Sequence, residues 1–289
     1  MQIQNGSGSR LFGPPRERNL AKLPWWAFIL VSLGLLITIL IAANQHYRES
    51  FGYLKSGVIV TLRITLTAFP IATVIGLFAG LARSSKNVVL YNLATVYVEI
   101  VRGIPLIVII LYVAFGLMPV IRDLANQIGV WGLGWASHYV FAGFFKSLAN
   151  FSIRDISNEL RADIALAFGY GAFEAEIFRA GIQSIGRGQM EAARSLGMSY
   201  VQAMRYIILP QAIRRVLPPL GNDFIALLKD SSLVTVLAVN ELTQLGRIRR
   251  ASTFRVLETF NVVAFLYLSM TLVLSAGVRL LERVFKYEE

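Results

Sequence analysis

Four stretches of this chain run without a single Asp, Glu, Lys or Arg: Leu23–Tyr47, Ile64–Ala82, Gly103–Ile121 and Thr259–Val278. Each approaches or exceeds the roughly 18–20 residues with which an α-helix crosses about 30 Å of hydrocarbon. The runs are continuous and lack ten-residue alternation, so they predict helices rather than a barrel of tilted strands. Two further apolar segments, about 163–182 and 216–240, are predicted as spans although they carry Glu174, Glu176, Arg179, Asp223, Lys229 and Asp230. The expected fold class is therefore all-α: a polytopic membrane helix bundle of six spans.

Residues 1–22 form a basic Gly/Ser/Pro-containing leader with Arg10, Arg16, Arg18 and Lys22, expected to be a cytoplasmic tail. The first span is placed at 23–47. Its apolar core is longer than that of a cleaved signal peptide, and Trp25 and Trp26 stand where interface anchors belong. A second span covers about 57–81 and exits at Arg83 and Lys86. In the third block Gly103 and Pro105 interrupt the run, and the proline is expected to end or kink one helix and start another. Residues 122–161 read as an extracytoplasmic loop with one or two short amphipathic helices, and 183–215 as a polar cytoplasmic loop. The last span is about 260–281.

Composition agrees. Of the 289 residues 55% are hydrophobic and 16% charged, where a soluble domain carries about a quarter charged. There is no cysteine, and His46 and His138 are far apart without ligand spacing. Thiolate, disulfide and metal chemistry are accordingly not expected. The net charge of +11 is read as cytoplasmic Lys and Arg rather than as a nucleic-acid site. With the N-terminus inside, six spans place fifteen Lys and Arg residues in cytoplasmic segments and ten outside. The basic "GRIRRASTFR" at 246–255 falls on the outer side, against that bias.

The cytoplasmic stretch "EAARSLGMSYVQAMRYIILP", Glu191 to Pro210, has its own local logic. "GQMEAARSL" favours a helix, with Ala192, Ala193 and Leu196 on one side and Glu191 near its start. Gly197 suits the left-handed position that ends a helix. Ser199 and Gln202 make a capping box for a second helix. Val201, Met204 and Ile208 are expected to give that helix an apolar stripe, and Pro210 is expected to stop it. The segment thus predicts two short helices meeting at a glycine elbow, each too short to span a bilayer.

Glu191-Ala192-Ala193, three residues, Gly197, nine residues, Ile207, one residue, Leu209-Pro210 resembles the EAA loop of ATP-binding-cassette import permeases. "VYVEIVRGIPLIVI", "GVIVTLRITLTAFPIATVIGLFAGLARSS", "YGAFEAEIFRAGIQSIGRGQMEAARSLGM" and "ILPQAIRRVLPPLGNDFIALLKDSSL" are similar to the polar amino-acid uptake branch. The likeness covers about residues 53–285, leaving one N-terminal span ahead of a five-span permease core within 53–289. It implies that Glu191, Ala192, Ala193 and Gly197 contact a separate ATPase, with Ile207, Leu209 and Pro210 fixing the exit. It also implies two ATPase subunits that bind ATP and Mg, an identical or homologous permease partner, an extracytoplasmic solute-binding protein and an amino-acid substrate, in the plasma (inner) membrane. This chain would have no cofactor of its own. Ile104, Ile109 and Glu174 depart from the branch's usual pattern.

Ionisable groups at membrane depth cost about 2.5–3.5 kcal/mol each on insertion scales and mark pathways or internal pairs. Glu99 with Arg102, and Glu176 with Arg179, are i, i+3 neighbours able to neutralise each other. Lys229 and Asp230 are adjacent and point to different faces, with pairing and pathway roles both open. Arg63 is placed to snorkel outward. Two readings stand for Glu174: a carboxylate facing the pathway, which favours a cationic substrate, or the partner of a Lys or Arg from another span.

The chain has no G-x-x-x-x-G-K-[ST] phosphate loop and no H-E-x-x-H or G-x-S-x-G motif, so it is expected not to be an enzyme. The alternative, a gradient-driven secondary transporter or channel, fits the polar spans but leaves the elbow without a purpose.

Overall fold

The computed structural model describes residues 25–136 and 141–285; the leader 1–22 lies outside the described residues. Among these, every regular element is helical. The order is α1 (Trp25–Ala43), α2 (Gln45–Arg83), α3 (Val88–Gly103), α4 (Leu106–Leu111), α5 (Met118–Ala136), α6 (Ala142–Ala149), α7 (Asn158–Gln183), α8 (Arg187–Ser195), α9 (Tyr200–Ala203), α10 (Leu209–Asp230), α11 (Leu242–Thr253) and α12 (Val256–Phe285).

α1, α2, the run Leu106–Trp135 and α12 are long and apolar enough to cross a membrane. α7, with 26 residues, and α10, with 22, have the length but carry charges. α1 ends at Ala43, short of Tyr47, because the side chain of Asn44 accepts from the His46 amide and starts α2. At about 1.5 Å per residue, the 39 residues of α2 reach roughly 58 Å, well beyond the hydrocarbon. α2 therefore starts twelve residues ahead of the expected span.

α2 and α7 form the centre of the bundle and run parallel. Arg63 meets Glu159 at 3.3 Å near one end, and Gly76 and Gly80 face Glu174–Arg179 further along. A Cβ on Gly76 would lie 2.7 Å from the Glu174 Cβ, and one on Gly80 2.7 Å from the Ala175 carbonyl oxygen. Where lipid removes the hydrophobic drive between helices, such close backbone approach is what binds them.

The break expected at Gly103–Pro105 is present. α3 closes at Ile104 in an extended conformation (φ −110°, ψ 137°), and Pro105 leads into α4. Both halves pack on α7. A π-helical stretch, Tyr112–Leu117, joins α4 to α5. Helix continues to Ala136, so the expected 122–161 loop is largely an α5–α6 hairpin. Its helices close on Gly129 and Gly132, which sit against Ala149 and Phe145. The fifth span differs from 216–240 as well: α10 begins at Leu209 and ends at Asp230. A 3₁₀ segment, Ser231–Leu237, and a left-handed Ala238 (φ 54°) then turn the chain toward α11.

Candidate functional site: a glycine elbow and a buried charge cluster

The elbow forms where the local sequence places it. The Gly197 amide donates to the Arg194 carbonyl at 3.0 Å and the Met198 amide to Ala193 at 3.1 Å, a Schellman closure of α8 with Gly197 at φ +83°. Two residues on, the Gln202 amide donates to Ser199 Oγ at 3.2 Å and the Ser199 amide to Gln202 Oε1 at 2.8 Å, the reciprocal capping box. The two helices therefore meet with their end groups satisfied.

Beyond the cap, one expectation fails and another holds only in part. Pro210 does not stop the helix. A π-helical turn at Met204–Ile208 runs straight into α10, with Pro210 in its first turn. Proline lacks only a donor and clashes only with the preceding turn, and the widened π turn relieves both demands. The expected apolar stripe is met at Met204 and Ile208 but not at Val201. Ala193, Ile208 and Ala212 are buried with Ile185, against Met190, Met204 and Ile207. Val201, expected in the stripe, is 70% exposed, and Ala192 and Leu196, expected beside Ala193, face outward. Glu191, Ala192, Leu196, Tyr200 and Val201 thus form an exposed, mixed surface around Gly197. Leu209 and Pro210 are exposed as well, while Ile207 is half-buried.

The charged positions within the bundle fall into two groups. One is centred on Arg83, whose side chain is only 10% exposed. Its Nη1 donates to Glu176 Oε2 at 2.8 Å and its Nη2 to Glu99 Oε1 at 3.1 Å. Glu176 pairs with Arg179 as expected, and Arg179 continues to Gln183 at 2.6 Å. The expected Glu99–Arg102 pair is not made. Glu99 turns to Arg83 instead, while Arg102 lies 5.9 Å from the Phe173 ring centroid. Arg83 is 93 residues from Glu176, so no spacing rule in the sequence pointed to it. Arg63 likewise finds a partner, Glu159, rather than only snorkelling.

The second group is acidic. Glu174 is fully buried, and neither carboxylate oxygen has a hydrogen bond. Among the described residues no Lys or Arg pairs with it. Thr73 and Asp223 are the polar groups acting on it, and Asp223 Oδ2 is itself buried without a hydrogen bond. Tyr170 donates to Asp230 Oδ2 at 2.7 Å, and the Tyr97 hydroxyl donates to the Phe168 carbonyl at 2.7 Å. Both phenols lie in the field of Glu174. Lys229 is exposed. Glu174, Asp223 and Asp230 make no ion pair among the described residues, and burying a carboxylate without a partner is costly.

A bundle of membrane-length helices, interrupted by a capped glycine elbow and holding internal charges, defines a polytopic helical membrane protein. Residues 72–287 match the family described as binding-protein-dependent transport system inner membrane component, and the chain belongs to that family. It is thus a multi-pass, non-catalytic subunit of the inner membrane, the permease component of an ATP-binding-cassette importer.

Among its relatives, the glutamine transport system permease protein GlnP of Escherichia coli (strain K12) is 36% identical over 233 residues, covering 81% of this chain and 93% of that protein. The nopaline transport system permease protein NocM of Agrobacterium fabrum is 33% identical, covering 81% and 88%. The solved structure of an amino acid ABC transporter is 35% identical with a TM-score of 0.63, covering 80% of this chain and 94% of that one. The inward-facing MetNI methionine ABC transporter, at 20% identity and a TM-score of 0.58, shares the fold over 81% of this chain and 96% of its own.

Proposed function

We propose that this chain forms the translocation path of an importer for polar amino acids, with a lean toward cationic ones, and that a separate ATPase grips it through the elbow. The observation that carries the coupling role is the elbow itself: an exposed Glu191–Ala192 and Leu196–Val201 surface bent at a left-handed Gly197 and anchored beneath by Ala193 and Ile208. Alanine at 192 permits close approach of a partner, and Leu196 supplies an exposed apolar contact. Movement of the elbow reaches the spans directly, since the π turn at Met204–Ile208 makes α9 and α10 one continuous rod. α10 carries Asp223 and Asp230 of the acidic cluster.

In this reading α1, α2, the α3–α4–α5 run, α7, α10 and α12 are the six spans, with both termini cytoplasmic. Two ATPase subunits hold ATP and Mg, the permease pairs with an identical or homologous copy, and a solute-binding protein delivers substrate outside. The lean to cationic substrates rests on Glu174, buried and without a cation partner among the described residues. The deciding experiment is substrate binding and uptake by the purified assembly in proteoliposomes with arginine, lysine, histidine and glutamine. Uptake that requires ATP in the ATPase compartment supports the importer. Uptake by this chain alone, driven by a proton gradient, refutes it.

A further inference from the structure

Residues 124–145, from the middle of α5 to the middle of α6, carry no Asp, Glu, Lys or Arg. A connection bathed in water is ordinarily built from polar and turn-forming residues. This stretch instead holds Trp131, Trp135, Phe141, Phe144 and Phe145. The α5–α6 hairpin leaves the bundle at Met118, which is buried in the main core together with Ile156. From there to the end of α5 at Ala136 is about 27 Å at 1.5 Å per residue. Beyond the core the two helices cover each other, closing where Ala149 and Phe145 leave no room for a Cβ on Gly129 or Gly132.

Ile121, Leu124, Ile128, Trp131 and Trp135 follow one another at three or four residues, so they share one face of α5. All five are exposed, from 42% at Ile121 to 69% at Trp131. The rings carry that face across to α6. The centroids of Trp131 and Trp135 are 5.9 Å apart, those of Trp135 and Phe145 5.9 Å, and those of Phe145 and Phe144 5.5 Å. Phe141 and Phe144 are exposed as well. Polar groups take other sides. On α5 the exposed Asp123 and Gln127 lie beside the stripe, and Asp123 is paired with Arg122 at 2.7 Å. On α6 the exposed Lys146 and Asn150 fall, by the helical period, opposite Phe141 and Phe144.

The stripe continues a run that is itself able to cross a bilayer. Leu106–Trp135 is apolar throughout, and its 30 residues reach about 45 Å, about 15 Å beyond the hydrocarbon. The excess falls in α5, at the end that bears the tryptophans. Tryptophan is enriched at membrane–water interfaces, where its ring meets lipid and its N–H meets water. A helix with Trp, Phe and Leu on one face and charge on the other lies in that interface, its apolar face sunk about 5–10 Å. A protein partner fits less well. Protein interfaces typically carry about ten direct hydrogen bonds, and this face has only the indole N–H groups of Trp131 and Trp135 to offer.

We propose that the α5–α6 hairpin is a lipid-binding element lying in the bilayer interface, not a water-exposed loop. The Ile121–Trp135 stripe and Phe144 sink among acyl chains, and Lys146 turns to headgroups and water. The placement holds on either side of the membrane, so it stands apart from the orientation and the transport role given above. The chain has four tryptophans, Trp25, Trp26, Trp131 and Trp135, and Trp25→Phe with Trp26→Phe leaves the hairpin pair as its only indoles. This full-length variant is reconstituted in phosphatidylcholine vesicles, and its emission is read with lipids brominated near the headgroup or near the chain ends. Brominated lipid is expected to remove the larger part of the emission, and more of it when the bromine is near the headgroup. Iodide on both sides of the membrane is expected to remove less. If the variant fails to insert, the native chain gives the same reading as the emission that Trp131→Phe with Trp135→Phe removes.

Stronger quenching by iodide than by brominated lipid places the hairpin in water and overturns the proposal. Emission that neither quencher reaches means that protein covers the stripe, a second copy of this chain included, and overturns it equally. Strongest quenching by bromine near the chain ends makes α5 part of a deeper span and overturns the interfacial position.

Discussion

Gly197 offers a test in which backbone conformation and steric bulk separate. Its φ is +83°, and a Cβ built there meets no atom within 4 Å. Replacement by Ala therefore encounters no clash and suffers only the left-handed penalty, about 1–2 kcal/mol. Asn, which tolerates that conformation, should lose a smaller part of it. A penalty of 1–2 kcal/mol lowers the bent population relative to an opened one by about five- to thirtyfold. Transport that requires the bend falls in the order Gly, Asn, Ala. Gly197→Asp tolerates the angle but places a negative charge at the C-terminus of α8, where the helix dipole disfavours it, within the exposed surface. It should stay in the membrane and hydrolyse ATP through its partner without moving substrate. The assay is the ratio of substrate imported to ATP hydrolysed by the reconstituted assembly. A Gly197→Ala assembly with unchanged ratio and unchanged rate would refute the elbow as the coupling element.

Three further outcomes follow from the bundle. Gly80→Val should lower thermal stability by about 1–3 kcal/mol, read as a reduced Tm of the purified permease, because its Cβ alone would stand 2.7 Å from the Ala175 carbonyl oxygen; an unchanged Tm would contradict the close α2–α7 packing. Arg83→Met should destabilise by about 2 kcal/mol, short of the roughly 3–5 kcal/mol for a fully buried pair, because Glu99 is 64% exposed and Glu176 retains Arg179. Arg83→Lys, which keeps the charge without the planar fork, should fall between, and denaturant melts of the three proteins check the order. Glu174→Gln replaces a buried carboxyl that has no ion pair among the described residues by an amide of the same shape, so stability should hold or rise while arginine binding weakens at least tenfold and glutamine binding changes little. Equal loss for both amino acids in equilibrium binding would sink the electrostatic reading of that carboxylate.

Which parts of the molecule were legible in one dimension follows from the range of the forces involved. A charge-free run of membrane length is a property of consecutive residues, so the apolar spans could be read directly. The elbow was legible for the same reason: Gly197, Ser199 and Gln202 satisfy their neighbours' amides and carbonyls within five residues. Pro210 misled because its usual effect assumes a regular preceding turn, and the π turn at Met204–Ile208 removes that assumption. Val201 misled because apolar character does not decide which side of a short helix is covered: Ala203, Met204 and Ile208 face the packing and Val201 does not. Glu99 was matched to its i+3 neighbour because sequence shows only such neighbours, whereas Arg83 reached it from another helix.

The sequence by itself determined that this chain is a set of membrane-length apolar helices, that the run at Gly103–Pro105 breaks, and where its polar elbow bends. Those outcomes depend on hydrogen bonds and transfer energies settled within a few residues. Only the tertiary structure decided that Arg83 joins Glu99 to Glu176, that Glu174 is buried without a cation partner among the described residues, and that Trp131 and Trp135 are left exposed. Each depends on which helices pack side by side, and that is fixed by close contacts such as Gly76 and Gly80 against α7, between residues nearly a hundred positions apart.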